Sequence, residues 1–312
     1  KEREAGRINP NHTEEKATMN ILITGASGLV GSELVRHLAA GGHDTVHLQR
    51  NKSNAGPFWN FDQIQEDSVT HPIDAVVHLA GENIATGRWT PAKKQRILTS
   101  RVEGTKQLAE FCANLENRPR LFFSASAIGY YGDRGNETVD ETATSGTNFV
   151  AEVCRAWEQA SQPVTEAGIR VVFGRIGMVL SGQGGTLPTM LPSFKLGIAG
   201  VVGPGSQYIS WVQMEDLITM IEFILTHDDI EGPVNLVAPA AVTNREFTKT
   251  LGKVLKRPTV MNMPAFVART VFGQMGEELI LSSTRVLPSV LMRNGYVHRY
   301  ANLEAAIRAS LA

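Results

Sequence analysis

The feature that most restricts the fold of this chain is Gly25-Ala26-Ser27-Gly28-Leu29-Val30-Gly31, set directly behind the apolar run Asn20-Ile21-Leu22-Ile23-Thr24. A short, unbroken apolar run ended by glycine suits a strand buried on both faces of a parallel sheet. The residues that follow put Leu34, Val35 and Leu38 on one helical face and stop at Gly41-Gly42. Each glycine of the connecting loop has a reason. Gly25 permits a tight turn, Gly28 lets the backbone approach a pyrophosphate, and Gly31 lets the helix pack on the sheet. Exposed N–H groups at the positive end of the helix would receive the anion, so all seven loop residues are expected at a dinucleotide.

The alternation of strand and helix continues. Thr45–Leu48, Ala75–Leu79, Leu121–Ser124 and Arg170–Phe173 read as strands, and Pro91–Leu115 and Asn148–Glu166 as helices. This order implies βαβ units and an α/β, doubly wound parallel sheet of Rossmann type over 19–176. Residues 1–18 are polar and read as a flexible extension or tag remnant, with the domain opening at Met19. After Arg175 the texture changes. The Gly- and Pro-rich stretch 177–205 reads as loops with a short helix near Leu191–Leu196. Helix Glu215–Thr226, whose first turn or preceding turn Asp216 is expected to cap, and strand Val234–Val237 fall in a segment, 206–240, that is open to rejoining the first domain. Helices at Asn244–Leu255, Pro264–Phe272 and Leu303–Ala309 complete an α-rich part, so that 177–312 should supply substrate-binding loops and a small C-terminal domain.

A formal net charge of -1 gives no global field to draw nucleic acid or an anionic membrane. No apolar run reaches the ~18–20 residues of a membrane span, and no signal-peptide core is present. The two cysteines, Cys112 and Cys154, read as buried thiols. The default expectation is a cytoplasmic protein, monomer or homodimer, with a small-molecule substrate.

The second strand is followed by Leu48-Gln49-Arg50-Asn51-Lys52-Ser53, without the acid that would accept from a ribose 2′-hydroxyl. Arg50 suits a 2′-phosphate instead, and Lys52 can assist, which favours NADP(H) over NAD(H). The small-residue turn His78-Leu79-Ala80-Gly81-Glu82 is expected to pass its backbone beside the adenine and ribose, with His78 a packed core histidine.

The spacing Gly25-x-x-Gly28-x-x-Gly31 resembles the short-chain dehydrogenase/reductase superfamily. Further stretches narrow the resemblance: Gly81-Glu82-Asn83-Ile84-Ala85, Arg88-Trp89-Thr90, Ser100-Arg101-Val102-Glu103-Gly104-Thr105, Ser124-Ala125-Ser126-Ala127-Ile128-Gly129-Tyr130-Tyr131-Gly132 and Trp157-Glu158. With Gly184-Gly185, Phe194-Lys195-Leu196-Gly197, Ser210-Trp211-Val212 and Arg285-Val286-Leu287-Pro288 they are similar to an atypical extended branch, a nucleotide-sugar epimerase family sometimes labelled SulA-like cell division inhibitor. The resemblance covers Met19 to the C-terminus. It implies NADP(H) binding, with Arg101, Ser124 and Arg175 added to the cofactor contacts. It also implies a substrate cleft near Arg175, Gly184-Gly185, Lys195, Gln207 and Ser210-Trp211.

Extended enzymes of this superfamily use a Ser or Thr after the strand and a Tyr-x-x-x-Lys on the next long helix for acid–base work beside a hydride donor. Ser126 fits the first role, with Ser124 second. The Tyr-x-x-x-Lys is absent: Phe149 and Val153, or Val150 and Cys154, stand in its place. Tyr131, Tyr130 and, if desolvated, Glu152 are the candidate substitutes. Two readings therefore stay open, an oxidoreductase or epimerase-like enzyme acting on a polar carbonyl or nucleotide-sugar-like substrate, and a non-catalytic NADP(H)-binding sensor or scaffold.

Overall fold

The computed structural model describes residues 18–48, 59–60, 63–64 and 72–312. Arg50, Lys52 and residues 1–17 lie outside them. The chain builds one six-stranded sheet from β1 (Asn20–Thr24), β2 (Asp44–Leu48), β3 (Ala75–His78), β4 (Leu121–Ala127), β5 (Arg170–Ile176) and β8 (Gly232–Leu236). Its order is β8-β5-β4-β3-β1-β2, and every pair is parallel. Parallel neighbours need crossovers, and the helices α1 (Leu29–Ala40), α2 (Pro91–Asn114), α3 (Phe149–Gln159), α4 (Gln162–Glu166) and α6 (Met214–Thr226) lie in the connections.

Strand side chains alternate between two cores. Ile21, Ile23, Val77 and Phe123 face α1 and α6 through Leu34, Leu38, Leu217 and Ile221. Leu22, Val76 and Phe122 face α2 and α4 through Leu108, Cys112 and Val164. Burial on both faces explains why these strands read as unbroken apolar runs. The order reverses at β1, which has β2 on one side and β3 on the other. A crevice at such a switch point, outside the carboxyl ends of the strands, is where this architecture places ligands.

Several elements differ from the sequence reading. Strands β4 and β5 run three residues further than expected, to Ala127 and Ile176. Ser126 and Arg175 are therefore register partners inside the sheet rather than residues of a loop. The helix expected over Asn148–Glu166 is two helices that meet around Ala160-Ser161. Pro163 sits in the first turn of α4, where its missing N–H and fixed φ are tolerated, and it would break a continuous helix. The short helix expected near Leu191–Leu196 is α5 (Thr186–Lys195), longer despite the internal Pro192.

Asp216 does not cap α6. Gln213 is the N-cap, and Asp216 lies buried in the first turn. Its carboxylate accepts from the backbone N–H groups of Arg299 and Tyr300, both at 2.9 Å, and so docks the C-terminal segment.

Beyond β5 a second core forms around a parallel pair that the Gly- and Pro-rich texture concealed, β6 (Met178–Leu180) with β7 (Trp211–Gln213). Leu180, Leu187, Phe194, Trp211, Phe247, Leu251 and Ile307 fill it, contributed largely by α5, α7 (Asn244–Leu255) and α10 (Leu303–Leu311). Helices α8 (Ala265–Phe272) and α9 (Ser289–Arg293) complete the chain. Arg285–Val286 pairs with Thr138–Val139, so the C-terminal part grips the segment that follows β4. Among the described residues, no helix is long and apolar enough to cross a membrane.

Candidate functional site

The glycine loop between β1 and α1 is shaped by what surrounds it. Gly25 has φ +73°, and a Cβ there would stand 2.9 Å from the Ala80 nitrogen. A Cβ on Gly31 would stand 2.2 Å from the Gly25 carbonyl oxygen. The chain therefore makes a hairpin-tight approach that only glycine allows at these positions. No side chain caps the first turn of α1, and the turn carries no acid. Ser27 and Gly28 are exposed, with Gly25, Ala26, Leu29 and Val30 partly so. This arrangement fits a bound pyrophosphate, since backbone donors and the positive helix end face outward with nothing anionic against them. Leu79 and Ala80 run alongside, Leu79 N–H donating to Thr24 O at 3.1 Å. Gly184 and Gly185 close over the same point, within 3.1–3.2 Å of Leu29 as measured from an added Cβ.

His78 is fully buried. Its Nδ1 lies 2.6 Å from Thr24 Oγ1 and its Nε2 2.9 Å from Thr105 Oγ1. Burial, with Arg101 nearby, pushes its pKa down to about 3, so the ring is neutral and structural. Arg101 reaches from α2 across Gly81. Its Nη1 donates to Glu82 O at 3.0 Å and to Ile97 O at 3.2 Å, and its guanidinium lies 4.8 Å over the Trp157 ring. The Glu82 side chain turns to Lys93 at 2.7 Å, whose hydrogen bond holds the carboxyl below the usual carboxylate range.

At the carboxyl edge of β4 and β5, a buried polar network joins four elements. Ser126 Oγ donates to Glu158 Oε1 at 2.7 Å. Arg175 grips the same carboxylate at two points, Nε to Oε1 and Nη2 to Oε2, both 2.9 Å. Arg175 Nη1 donates to the Tyr131 hydroxyl at 3.0 Å, which donates to Asn235 Oδ1 at 2.8 Å. Asn235 Nδ2 donates to Leu287 O at 2.9 Å, tying the network to the C-terminal part. The Tyr130 ring lies under the guanidinium, 3.4 Å from centroid to Cζ. Burial works against the Arg175 charge, but the Glu158 hydrogen bonds and charge outweigh it and raise its pKa. Burial also raises Tyr131, which keeps its proton.

The candidate acid–base residues thus separate. Ser126 stands in the network at the sheet edge, and Ser124 is fully buried further down the same strand. Tyr131 has no exposed surface and serves the network rather than solvent. Tyr130 is partly exposed and stacked on Arg175. Glu152 is exposed on α3, so the desolvation that would make it a proton donor is missing. Val150, Val153 and Cys154 pack inward with Trp157, and burial raises the Cys154 thiol to about 11. The residue that sequence reasoning missed is Glu158, noted only within a family motif. The signal was available: Glu158 falls four residues after Cys154 and so shares the inward face of an otherwise apolar stripe.

The residues expected at the substrate diverge as well. Gln207 is buried and donates to Val202 O at 2.8 Å. Ser210 is buried, donating to Thr284 O and accepting from Val286 N–H, both at 2.9 Å. Trp211 is a core residue, and Lys195 is exposed at the end of α5.

Fold and site together define a Rossmann-type nucleotide-binding protein with a dehydrogenase-like strand edge. Residues 21–237 match the NAD dependent epimerase/dehydratase family, and residues 263–310 match a domain of unknown function, DUF1731. The chain is 38% identical over 290 residues to the epimerase family protein Mb2239 of Mycobacterium bovis, covering 92% of this chain and 96% of that protein. It is 33% identical to the epimerase family protein YfhF of Bacillus subtilis, covering 94% and 98%. Among solved structures, the human epimerase family protein SDR39U1, crystallised with NADPH, superposes with a TM-score of 0.86 at 29% identity, covering 94% of this chain and 99% of that one. A nucleoside-diphosphate sugar epimerase from Corynebacterium glutamicum gives 0.80 at 36% identity, covering 95% and 58%. The chain belongs to the NAD dependent epimerase/dehydratase family, in its extended short-chain dehydrogenase-type form.

Proposed function

We propose that this protein is an NADP(H)-dependent oxidoreductase or epimerase-like enzyme acting on a carbonyl or alcohol, in which Ser126 and Glu158 do the proton work usually given to tyrosine and lysine. The observation that carries the reading is the Ser126–Glu158 hydrogen bond on the same sheet edge as the glycine cradle. The cradle residues Gly25–Gly31, with Leu79, Ala80 and Gly81, would hold the dinucleotide. Arg50 and Lys52 would select the 2′-phosphate, in keeping with the NADPH bound to the human relative. Bound there, the nicotinamide supplies or takes up the hydride.

The protein's own groups handle the proton. Because Ser126 donates its one proton to Glu158, its oxygen is left to act as an acceptor. In oxidation a substrate hydroxyl passes its proton to Ser126 Oγ as Ser126 passes its own to Glu158. In reduction Glu158 first takes up a proton from solvent, and the transfers then reverse, so that Ser126 gives its proton to the carbonyl oxygen and regains one from Glu158. Arg175 fixes the carboxylate at two points so that it stays aligned with Ser126, and Tyr131 and Asn235 fix Arg175 in turn.

A second reading has its own observation. Every side chain at the Tyr-x-x-x-Lys positions is apolar or a thiol, which also suits a sensor that binds NADP(H) without turning over. Titration with NADPH and NADH, followed by NADPH consumption across a panel of carbonyl compounds and nucleotide sugars, separates the two. Turnover abolished by Ser126→Ala supports the enzyme. Tight NADPH binding with no turnover across the panel favours the sensor, and failure to bind NADPH sinks both.

A further inference from the structure

Beside the Ser126 network, α2 and α3 border an open pocket of about 350 Å³, lined by Trp89, Pro91, Lys94, Gln95, Leu98 and Phe149. The size is that of a small-ligand site, roughly 300–1,000 Å³. Its walls are mostly apolar. Trp89 and Phe149 meet edge to face, centroids 5.3 Å apart at 68°. The polar groups on the walls are largely engaged: Trp89 Nε1 donates to Ile84 O and Gln95 Nε2 to Thr99 Oγ1, both at 2.9 Å. Lys94 differs. Its ammonium lies 4.9 Å from the Phe149 centroid and has no carboxylate partner among the described residues. The pocket also adjoins the site, since Phe149 and Leu98 share one apolar cluster with Ala127 and Tyr130, which follow Ser126 closely in sequence.

We infer that this pocket binds a planar, mainly apolar molecule bearing one acidic group, and that this molecule is the body of the substrate handled by Ser126. The first half stands on the pocket alone, and the second rests on the activity proposed above. A nucleotide sugar suits the pocket poorly. It brings a diphosphate and several hydroxyls, whereas the lining offers a single cationic side chain, Lys94. One ammonium above a ring instead matches a single carboxylate attached to an aromatic body.

Calorimetric titration of the full chain with 2-naphthoate, its neutral analogue 2-naphthamide and UDP-glucose tests the ligand class, beside an NADPH titration of each variant. The expected result is saturable naphthoate binding, weaker by about fivefold for the amide and by about fivefold in Lys94→Gln, and restored in Lys94→Arg. Phe149→Ala should cost about tenfold. NADPH affinity should hold in all three. Equal binding of acid and amide, naphthoate binding that neither Lys94→Gln nor Phe149→Ala weakens, or UDP-glucose binding that Phe149→Ala removes would overturn the inference. So would a dimer that Leu98→Glu converts to monomer in a chain that binds no naphthoate, which makes the face a contact between two copies. Reduction of 6-formyl-2-naphthoate by NADPH, lost in Ser126→Ala, is expected from the second half. Naphthoate and NADPH both binding without that reduction would overturn the second half alone, and failure to bind NADPH would instead strike the activity proposed above.

Discussion

The Ser126 hydroxyl donates to the Glu158 carboxylate at 2.7 Å, so the serine at the edge of β4 is left with acceptor lone pairs only. In the usual arrangement of this superfamily the serine donates to the substrate oxygen and a tyrosine moves the proton. Here α3 brings a carboxylate to the serine instead, and β5 supplies the arginine that holds it.

That ion pair is buried, with 4% of the Arg175 side chain and 11% of the Glu158 side chain exposed. Removing one partner strands the other charge. Glu158→Ala is expected to lower unfolding stability by about 3–5 kcal/mol. Urea unfolding read by tryptophan fluorescence checks this, and a loss under about 1 kcal/mol would show that the carboxylate contributes as little as a surface pair.

Gly31 leaves no room for a side chain, because a Cβ would press to 2.2 Å from the Gly25 carbonyl oxygen. Gly31→Ala should displace the loop and weaken NADPH binding by more than about tenfold. A fluorescence titration of the bound nicotinamide measures it, with circular dichroism to show that the sheet persists. An unchanged affinity in a folded variant would mean that the loop does not hold the cofactor.

His78 gives the fold a pH dependence of known sign. Its pKa falls from 6.5 in the ordinary state to about 3 in the folded protein. The unfolded chain therefore binds one more proton between those values. The stability from the neutral ring is complete above pH 6.5 and declines as pH falls toward 3, by at most about 1.4 kcal/mol per pH unit. Urea midpoints from pH 7 to pH 5 should show a shallower slope for His78→Gln than for the unaltered chain. Parallel slopes would count against this assignment.

Asp216 holds the backbone of Arg299 and Tyr300 at the start of α6. Asp216→Ala leaves two N–H groups without their charged acceptor and should cost about 2–4 kcal/mol. The loss should concentrate in the segment leading to α10, where amide hydrogen exchange ought to accelerate first. Uniform acceleration across the sheet instead would assign Asp216 to the global core.

The sequence by itself determined the frame. Apolar runs such as Ile21–Ile23 and Ala75–Val77 suited strands covered on both faces, and the glycine spacing 25, 28, 31 marked the tight turn between β1 and α1. Those features are local, set by period and by the absence of a Cβ. His78 was legible for the same reason, as a polar residue inside an apolar strand. Tertiary structure decided the rest. Ser126 and Arg175 are 49 positions apart and become neighbours only because β4 and β5 pair in register. Glu158 becomes their partner only because α3 packs its apolar stripe on that edge. The same packing buried Tyr131 and left Glu152 in solvent, although the sequence offered both as acids. Local pattern names the elements, while the burial and partners that set each side chain's chemistry come from distant segments brought together.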